Sequence, residues 1–137
     1  MIKIQIRYDT RIPKWIQDVH TAFSNWLVTN YSIPTRLNVY LYPEVVLKFD
    51  ALRFWGYFNP SYKYPRIGLA CGRPRIDGKF PSQDDQIDHF LHTFAHEFVH
   101  YERWRDNKPQ NHRGVENRAH GLVNKFHKYL TTLESVV

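Results

Sequence analysis

The spacing of apolar residues changes in the first part of the chain from a strand pattern to a helix pattern. Isoleucine alternates with polar side chains over residues 1–8, which predicts a half-buried strand. Apolar residues then recur at helical spacing over residues 12–29, which predicts an amphipathic helix. Asp9 or Thr10 is the expected N-cap of this helix, because short polar side chains accept hydrogen bonds from the first free backbone N–H groups.

The middle of the chain is rich in β-branched and aromatic residues and predicts several strands. Alternation over residues 36–42 predicts one strand, and residues 45–49 predict a shorter one. Residues 52–58 and 65–70 lie on either side of an Asn-Pro-Ser turn signal, so they predict a hairpin. Residues 72–83 are rich in glycine, proline and charge, which predicts a loop.

Two helical patterns fill the last third of the chain. Over residues 86–105, apolar side chains cluster on one side of a helical wheel and the other side carries His89, His92, His96 and His100. Ser82 or Asp84 is the expected cap of this helix. After a break marked by proline and glycine, a last helix starts near Val115. One of its stripes, offset from the apolar one, carries Glu116, His120 and His127.

His96, Glu97 and His100 form the sequence H-E-x-x-H within the histidine-rich helix. Histidines four residues apart lie one turn apart on the same face, so their imidazoles can hold one metal ion. Glu97 is rotated by about 100° from His96. Its carboxylate then lies beside the metal, where it can take a proton from a water molecule. The motif predicts a catalytic zinc site that needs a third protein ligand.

The third ligand must come from outside this motif. Glu116 and His120 lie one turn apart on the last helix, which a short break joins to the histidine-rich one. We expect Glu116 to be the ligand; an exposed carboxylate at this position would also stabilise the N-terminus of its helix. His120 is expected in the site too, either orienting a ligand or acting as one. His112 in the break is the remaining candidate.

Composition and charge narrow the class of protein. The length of 137 residues fits one domain over residues 1–137. No apolar run approaches the roughly 20 residues of a membrane span, so no membrane partner is expected. The first residues lack the apolar core of a signal peptide, and Cys71 is the one cysteine, so we expect a cytoplasmic, reducing location. The net charge of +6 permits nucleic-acid binding but does not require it.

His96-Glu97-x-x-His100 followed by Glu116 in an E-x-x-A sequence resembles the gluzincin metallopeptidases, especially their minimal single-domain members and the ImmA type. The resemblance implies an α+β, zincin-like fold, with an N-terminal helix, a small mixed sheet with a hairpin, a metal-binding helix and a C-terminal helix carrying the third ligand. It implies that Zn²⁺ is bound by His96, His100 and Glu116, that Glu97 is the general base and acid, and that a peptide or protein is the substrate. His120 stands where that family often has an aspartate or asparagine that partners a ligand histidine.

The same resemblance implies that the substrate lies extended along the strand before the metal helix, for which we expect residues 65–70. The oxyanion formed at the peptide carbonyl needs a donor besides the metal, and Tyr101, His112 and His120 are the candidates. Cys71 lies close to this strand in sequence. We interpret it as a small buried residue rather than as a thiolate that caps the zinc.

Three alternatives stay open on the sequence. His96-Glu97-x-x-His100 with His112-Arg113-Gly114 is also similar to the SprT-like metalloproteases, which take a third histidine from such a segment and act on proteins attached to DNA. A non-catalytic zinc-binding interaction module would keep the metal without turnover. A nucleic-acid-binding protein would use its lysines and arginines with interleaved aromatic residues.

Overall fold

The computed structural model describes residues 2–75 and 77–136, which form a mixed α+β structure. Residues 1 and 76, which belong to the predicted first strand and loop, lie outside the described residues, as does residue 137. The elements follow one another as β1 (Ile4–Tyr8), α1 (Lys14–Asn30), β2 (Leu37–Tyr42), β3 (Leu47–Phe49), β4 (Leu52–Phe54), β5 (Gly56–Asn59), β6 (Arg66–Ala70), α2 (Gln83–Arg105) and α3 (Val115–Val136).

The strands form one four-stranded sheet and one separate hairpin. The sheet has the order β1-β2-β6-β5, in which β1, β2 and β6 are parallel and β5 is antiparallel to β6. The predicted hairpin between residues 52–58 and 65–70 is confirmed for β5 and β6, which pair antiparallel. The first half of its first strand is wrong, because β4 pairs with β3 instead. Asp50 has a φ of 55° in the short β3–β4 connection, a conformation that aspartate adopts more readily than most residues. β3 and β4 thus form a separate hairpin, and β5 is a short edge strand of the four-stranded sheet.

β6 is an interior strand that is hydrogen-bonded on both sides, to β2 and to β5. Residues 67–70 are all buried, so both faces of the strand are covered. Gly68 is required by a close approach, since a Cβ at this position would lie 2.0 Å from a ring carbon of Tyr57. The expectation that residues 65–70 bind the substrate strand is therefore wrong, because β6 has no free edge. The edge of the sheet that lies against α2 is β5.

α2 is the central helix and packs against α1, α3, β5 and β6. Its apolar face is the predicted one, with buried side chains at Phe90, Leu91, Phe94, Phe98 and Tyr101. Phe23 of α1 meets Phe94 and Phe126 edge-on, with ring centroids 5.2 and 5.1 Å apart, so the three helices share one core. Over the residues that the structure describes, none of the helices is long and apolar enough to cross a membrane.

The helix starts follow the predicted capping at α2 but not at α1. The hydroxyl of Ser82 accepts a hydrogen bond from the backbone three residues later, at 3.2 Å, which confirms Ser82 as the cap of α2. α1 begins after Pro13, so the predicted cap at Asp9 or Thr10 is wrong. The carboxylate of Asp9 instead accepts from the backbone and the guanidinium of Arg11, both at 2.9 Å, in the turn before the helix.

Candidate metal centre

Three imidazoles converge beside the second half of α2. His96 and His100 come from the H-E-x-x-H turn of α2, and His112 comes from the loop that joins α2 to α3. One ligand nitrogen of each lies within 4.8 Å of the other two. Among residues 2–75 and 77–136 this is the one group of three histidine, cysteine or carboxylate side chains at such spacing. Ligands of a tetrahedral zinc ion lie roughly 3.4 Å apart, so small movements bring these nitrogens onto one ion.

The loop that carries His112 is held against α2 by Arg103. Nη1 of Arg103 donates to the backbone oxygen of Asn111 at 2.5 Å and to its side-chain oxygen at 3.1 Å. Nη2 donates to the carbonyl oxygen of Arg113. These bonds fix the residues on both sides of His112. The carbonyl oxygen of His112 in turn accepts from the backbone N–H of Val115 at 3.3 Å, so the loop leads directly into α3.

Hydrogen bonds orient the two imidazoles of α2 so that Nε2 is left for a metal. The side-chain amide of Gln110 donates to the carbonyl oxygen of His100 at 2.9 Å, and its oxygen faces Nδ1 of the same histidine, also at 2.9 Å. Nδ1 of His100 therefore carries the proton, and Nε2 keeps its lone pair. The carboxylate of Glu116 accepts from Nδ1 of His96 in the same way. Such partners orient histidine ligands in metal sites, so the donor set fits zinc.

Glu97 lies beside the imidazoles and is only 7% exposed. Burial, and to a smaller extent the negative charge of Glu116, raise the pKa of its carboxyl group to about 8. A cation held by the histidines would oppose this shift and favour the carboxylate. β5 passes close to this side chain, because a Cβ added at Gly56 would lie 3.1 Å from Cγ of Glu97. The carboxyl group is thus enclosed between α2 and the edge strand.

Two cavities share His96 and Glu97 among their lining residues. One has a volume of about 450 Å³ and the other of about 400 Å³. Phe54 and Gly56 line both cavities. The first is otherwise lined by residues that include Trp55, His89 and Glu116, and the second by residues that include Phe58, Trp104 and His112. The imidazoles therefore stand in a largely aromatic cleft with a few polar groups, which is the usual character of a ligand site.

Glu116 and His120, the site residues predicted on α3, lie at different distances from the imidazoles. Glu116 contacts His96 through Nδ1 and does not belong to the group of three converging ligands. Nε2 of His120 is 4.0 Å from Oε2 of Glu116, and its ring centroid is 4.5 Å from that of His92. The structure thus brings His112 to the H-E-x-x-H residues, with Glu116 bound to one of them and His120 beyond Glu116.

Tyr101 and Cys71, two other residues considered from the sequence, lie in the core. The hydroxyl of Tyr101 donates to the carbonyl oxygen of Thr35 at 3.0 Å, and the residue is fully buried. Tyr101, one of the three candidate oxyanion donors, is therefore excluded from that role. Cys71 is buried, with Sγ 3.8 Å from Nε2 of His20. Burial raises the pKa of its thiol to about 12, which confirms the interpretation as a small buried residue.

Arg103 and Gln110 are site residues that the sequence pattern did not indicate. Arg103 lies on the metal helix among other polar residues, and Gln110 lies in a polar break, so both resemble solvated side chains in sequence. Their roles depend on hydrogen bonds between α2 and the loop after it. The one sequence signal for Gln110 was its position between the motif and the next helix.

Comparison of the chain with known proteins finds no matching family model, no similar curated protein and no similar solved structure.

Proposed function

We propose that the protein is a zinc-dependent metallopeptidase whose zinc is held by His96, His100 and His112. The observation that carries the proposal is the meeting of three imidazoles beside one buried carboxylate, Glu97. Three protein ligands with an open fourth position are typical of catalytic zinc sites, whereas structural sites have four protein ligands. A zincin-like fold is part of the proposal. The packing of the H-E-x-x-H helix against an antiparallel edge strand supports it.

Glu97 is the general base and acid of the proposed reaction. When bound, zinc acts as a Lewis acid toward the scissile carbonyl and makes water a nucleophile at neutral pH. Glu97 accepts the proton of the attacking water and transfers it to the leaving nitrogen of the peptide. Its enclosure beside β5 keeps the carboxylate out of bulk water, which strengthens its interaction with charges that develop nearby. His120 stays a predicted catalytic residue. In this conformation its Nε2 lies 4.0 Å from Oε2 of Glu116.

We assign Glu116 to orient His96 rather than to bind zinc. Its carboxylate already accepts from Nδ1 of His96, so it holds that ring with Nε2 free. In the gluzincin arrangement, the same carboxylate would turn from His96 to the metal. The two assignments predict different effects of substituting Glu116, because loss of an orienting partner lowers zinc affinity less than loss of a ligand does.

The substrate is proposed to bind as an extended peptide beside β5. This strand is at the end of the four-stranded sheet, so one of its edges is unpaired within the described residues. A peptide that adds to this edge gains backbone hydrogen bonds, and its alternate side chains enter the flanking cavities. Phe54 lines both cavities and the half-exposed Trp55 lines the first, so we expect a preference for apolar or aromatic side chains near the cleaved bond.

Zinc affinity in matched variants tests the ligand assignment. We expect His112→Ala to weaken zinc binding by well over 100-fold, and Glu116→Gln to weaken it by roughly 10- to 100-fold. His89→Gln is the matched control, since His89 lies on the same helix outside the group of three and should leave the affinity of this site unchanged. A variant His112→Ala with wild-type affinity, together with a large loss in Glu116→Gln, would return the third-ligand role to Glu116.

Cleavage by Glu97→Gln tests the mechanism. The variant should keep zinc at this site, because the carboxylate is not a ligand, and should cleave no member of a broad peptide library that the wild type cleaves. Cleavage that survives the substitution would contradict the role of Glu97. A wild type that binds zinc and cleaves nothing would instead support the non-catalytic interaction module.

The loop histidine also favours a second candidate, a SprT-like protease that acts on proteins attached to DNA. The resemblance on which that candidate rests takes the third ligand from the segment that contains His112, and the net charge of +6 suits a nucleic-acid partner. DNA should then stimulate cleavage of a DNA-binding protein, and salt should weaken the stimulation steeply. Cleavage that does not respond to DNA at low salt would exclude this candidate.

A further inference from the structure

A second group of histidine and carboxylate side chains lies along the seam between α2 and α3, nearer the start of α2. Asp88 and His92 are four residues apart on α2, and His120 and His127 are seven apart on α3, so each pair lies on one helix face. Asp88 approaches both His92 and His127, and the rings of His92 and His120 have centroids 4.5 Å apart. The three proposed ligands of the catalytic zinc are not among these residues.

The distances around Asp88 are closer to those between ligands of one metal ion than to those of hydrogen bonds. Oδ1 of Asp88 lies 3.5 Å from Nε2 of His92 and 3.6 Å from Nε2 of His127. An N–H···O bond is typically about 2.9 Å long, whereas two ligands of a tetrahedral zinc ion are roughly 3.4 Å apart. One carboxylate oxygen therefore stands at ligand spacing from imidazole nitrogens of two different helices.

The side chains of this group are available as ligands. The buried Nδ1 of His92 has no hydrogen-bond partner among the described residues, so no protein group fixes the tautomer of this ring. In this conformation the ligand atoms of Asp88, His92 and His127 do not all lie within 4.8 Å of one another, although Asp88 is close to both histidines. The side chains of Asp88 and His127 are 55% and 47% exposed, which leaves them room to turn toward a common ion.

We propose that Asp88, His92 and His127 form a second zinc site, with His120 as its fourth donor. Imidazole and carboxylate ligands suit zinc, and four protein ligands are the number that closes a structural site. Asp88 and His92 lie eight residues before His96 and His100 on α2, which places the two sites about 12 Å apart along the helix. Paired catalytic metals are about 3.5–4 Å apart, so the second ion has a structural role.

The consequence of such an ion is a cross-link between α2 and α3. α3 follows the loop that carries His112, and its first turn carries Glu116. A metal that ties His127 and His120 to α2 therefore restrains α3. This restraint helps to hold His112 and Glu116 near the first site. Asp88, His92 and His127 have no role in the proposed reaction, so zinc at this site can be counted without any peptidase activity.

Counting zinc ions per chain tests the second site. The full chain is stripped with a chelator, reloaded with zinc chloride, freed of excess metal and examined by native mass spectrometry. We expect two zinc ions in the wild type and one in the double variant Asp88→Asn/His127→Gln. The control His89→Gln should keep two. The double variant His96→Gln/His100→Gln should keep one, which distinguishes this site from the first.

Thermal unfolding supplies a second readout. Zinc should raise the melting temperature of His96→Gln/His100→Gln by roughly 5–10 °C, and adding Asp88→Asn/His127→Gln should remove that rise. A zinc count that Asp88→Asn/His127→Gln does not lower overturns the proposal, whether the wild type holds one zinc or two. If the double variant fails to fold, the single variant His127→Gln decides: one zinc supports the site, and two zinc ions refute it.

Discussion

His20 is an imidazole enclosed in the core between α1 and α2, and it predicts a loss of stability in mild acid. The residue is 1% exposed and packs against the rings of Phe90 and Phe94. Its Nδ1 lies 2.7 Å from the carbonyl oxygen of Ile16. Burial lowers the pKa of His20 from 6.5 to about 4, and the hydrogen bond to Ile16 opposes this shift only in part. The folded protein therefore holds His20 neutral where the unfolded chain protonates it.

The sign and size of the effect follow from that difference in pKa. Between pH 6.5 and 4 the unfolded chain binds a proton at His20 that the folded chain does not bind, so the free energy of unfolding falls as the pH falls. At about 1.4 kcal/mol per pKa unit, the full loss is about 3 kcal/mol by pH 4. About 2 kcal/mol of this is lost between pH 7.5 and pH 5. Above pH 7 His20 contributes no pH dependence.

Urea unfolding at pH 7.5 and pH 5, with a chelator present to remove metal, measures this loss. His20→Leu should reduce the fall in the free energy of unfolding between the two pH values by about 2 kcal/mol relative to the wild type. Phe126→Leu is the matched control, because its ring packs against Phe23 in the same core and the substitution leaves His20 and the two rings packed against it in place. The fall in this variant should match that of the wild type. Equal falls in the wild type and His20→Leu would refute the reasoning.

Two further predictions concern Cys71 and the edge strand. Because its thiol is buried and has a pKa raised to about 12, Cys71 should resist iodoacetamide in the native protein and react in urea; rapid labelling of the native protein would contradict its burial. Gly56→Ala should lower peptide cleavage with little loss of zinc, because the added Cβ lies 3.1 Å from Glu97 Cγ and 3.0 Å from a backbone oxygen. The control Gly121→Ala should leave cleavage unchanged, because its added Cβ meets no neighbouring atom of the described residues within 4 Å. Equal cleavage by both glycine variants would show that β5 does not constrain the carboxylate.

The sequence by itself determined the local elements that carry the chemistry. The spacing of His96 and His100 follows from 3.6 residues per turn, so their common face needed no knowledge of the fold. The cap at Ser82 and the start of α3 at Val115 also agree with the structure, because short-range hydrogen bonds and breaks decide them. The apolar side of α2 was predictable for the same reason, since burial of one helix face leaves a regular pattern.

The sequence pattern predicted the hairpin of β5 and β6 from its turn, but not the pairing of the other strands. The β-prone segments of the middle of the chain are alike in composition, and alternation does not say which segment lies beside which. Tertiary packing made β6 an interior strand and β5 the edge beside Glu97. The strand proposed to bind the substrate is therefore β5, the neighbour of the strand expected from the sequence, β6. The sequence also left Tyr101 among the candidate oxyanion donors. Its hydroxyl donates to Thr35, which lies 66 residues away in the chain, so the sequence did not reveal this contact.

Only the tertiary structure decided which side chain stands beside the two histidines of the motif. His112 and Glu116 are both close to the motif in sequence, and helical spacing alone favoured Glu116. The structure brings His112 to the imidazoles and Glu116 to Nδ1 of His96. The reason is that a loop has no fixed rise per residue. Its path depends on the hydrogen bonds of Arg103 and on the positive φ of Gly114, and neither can be read from spacing.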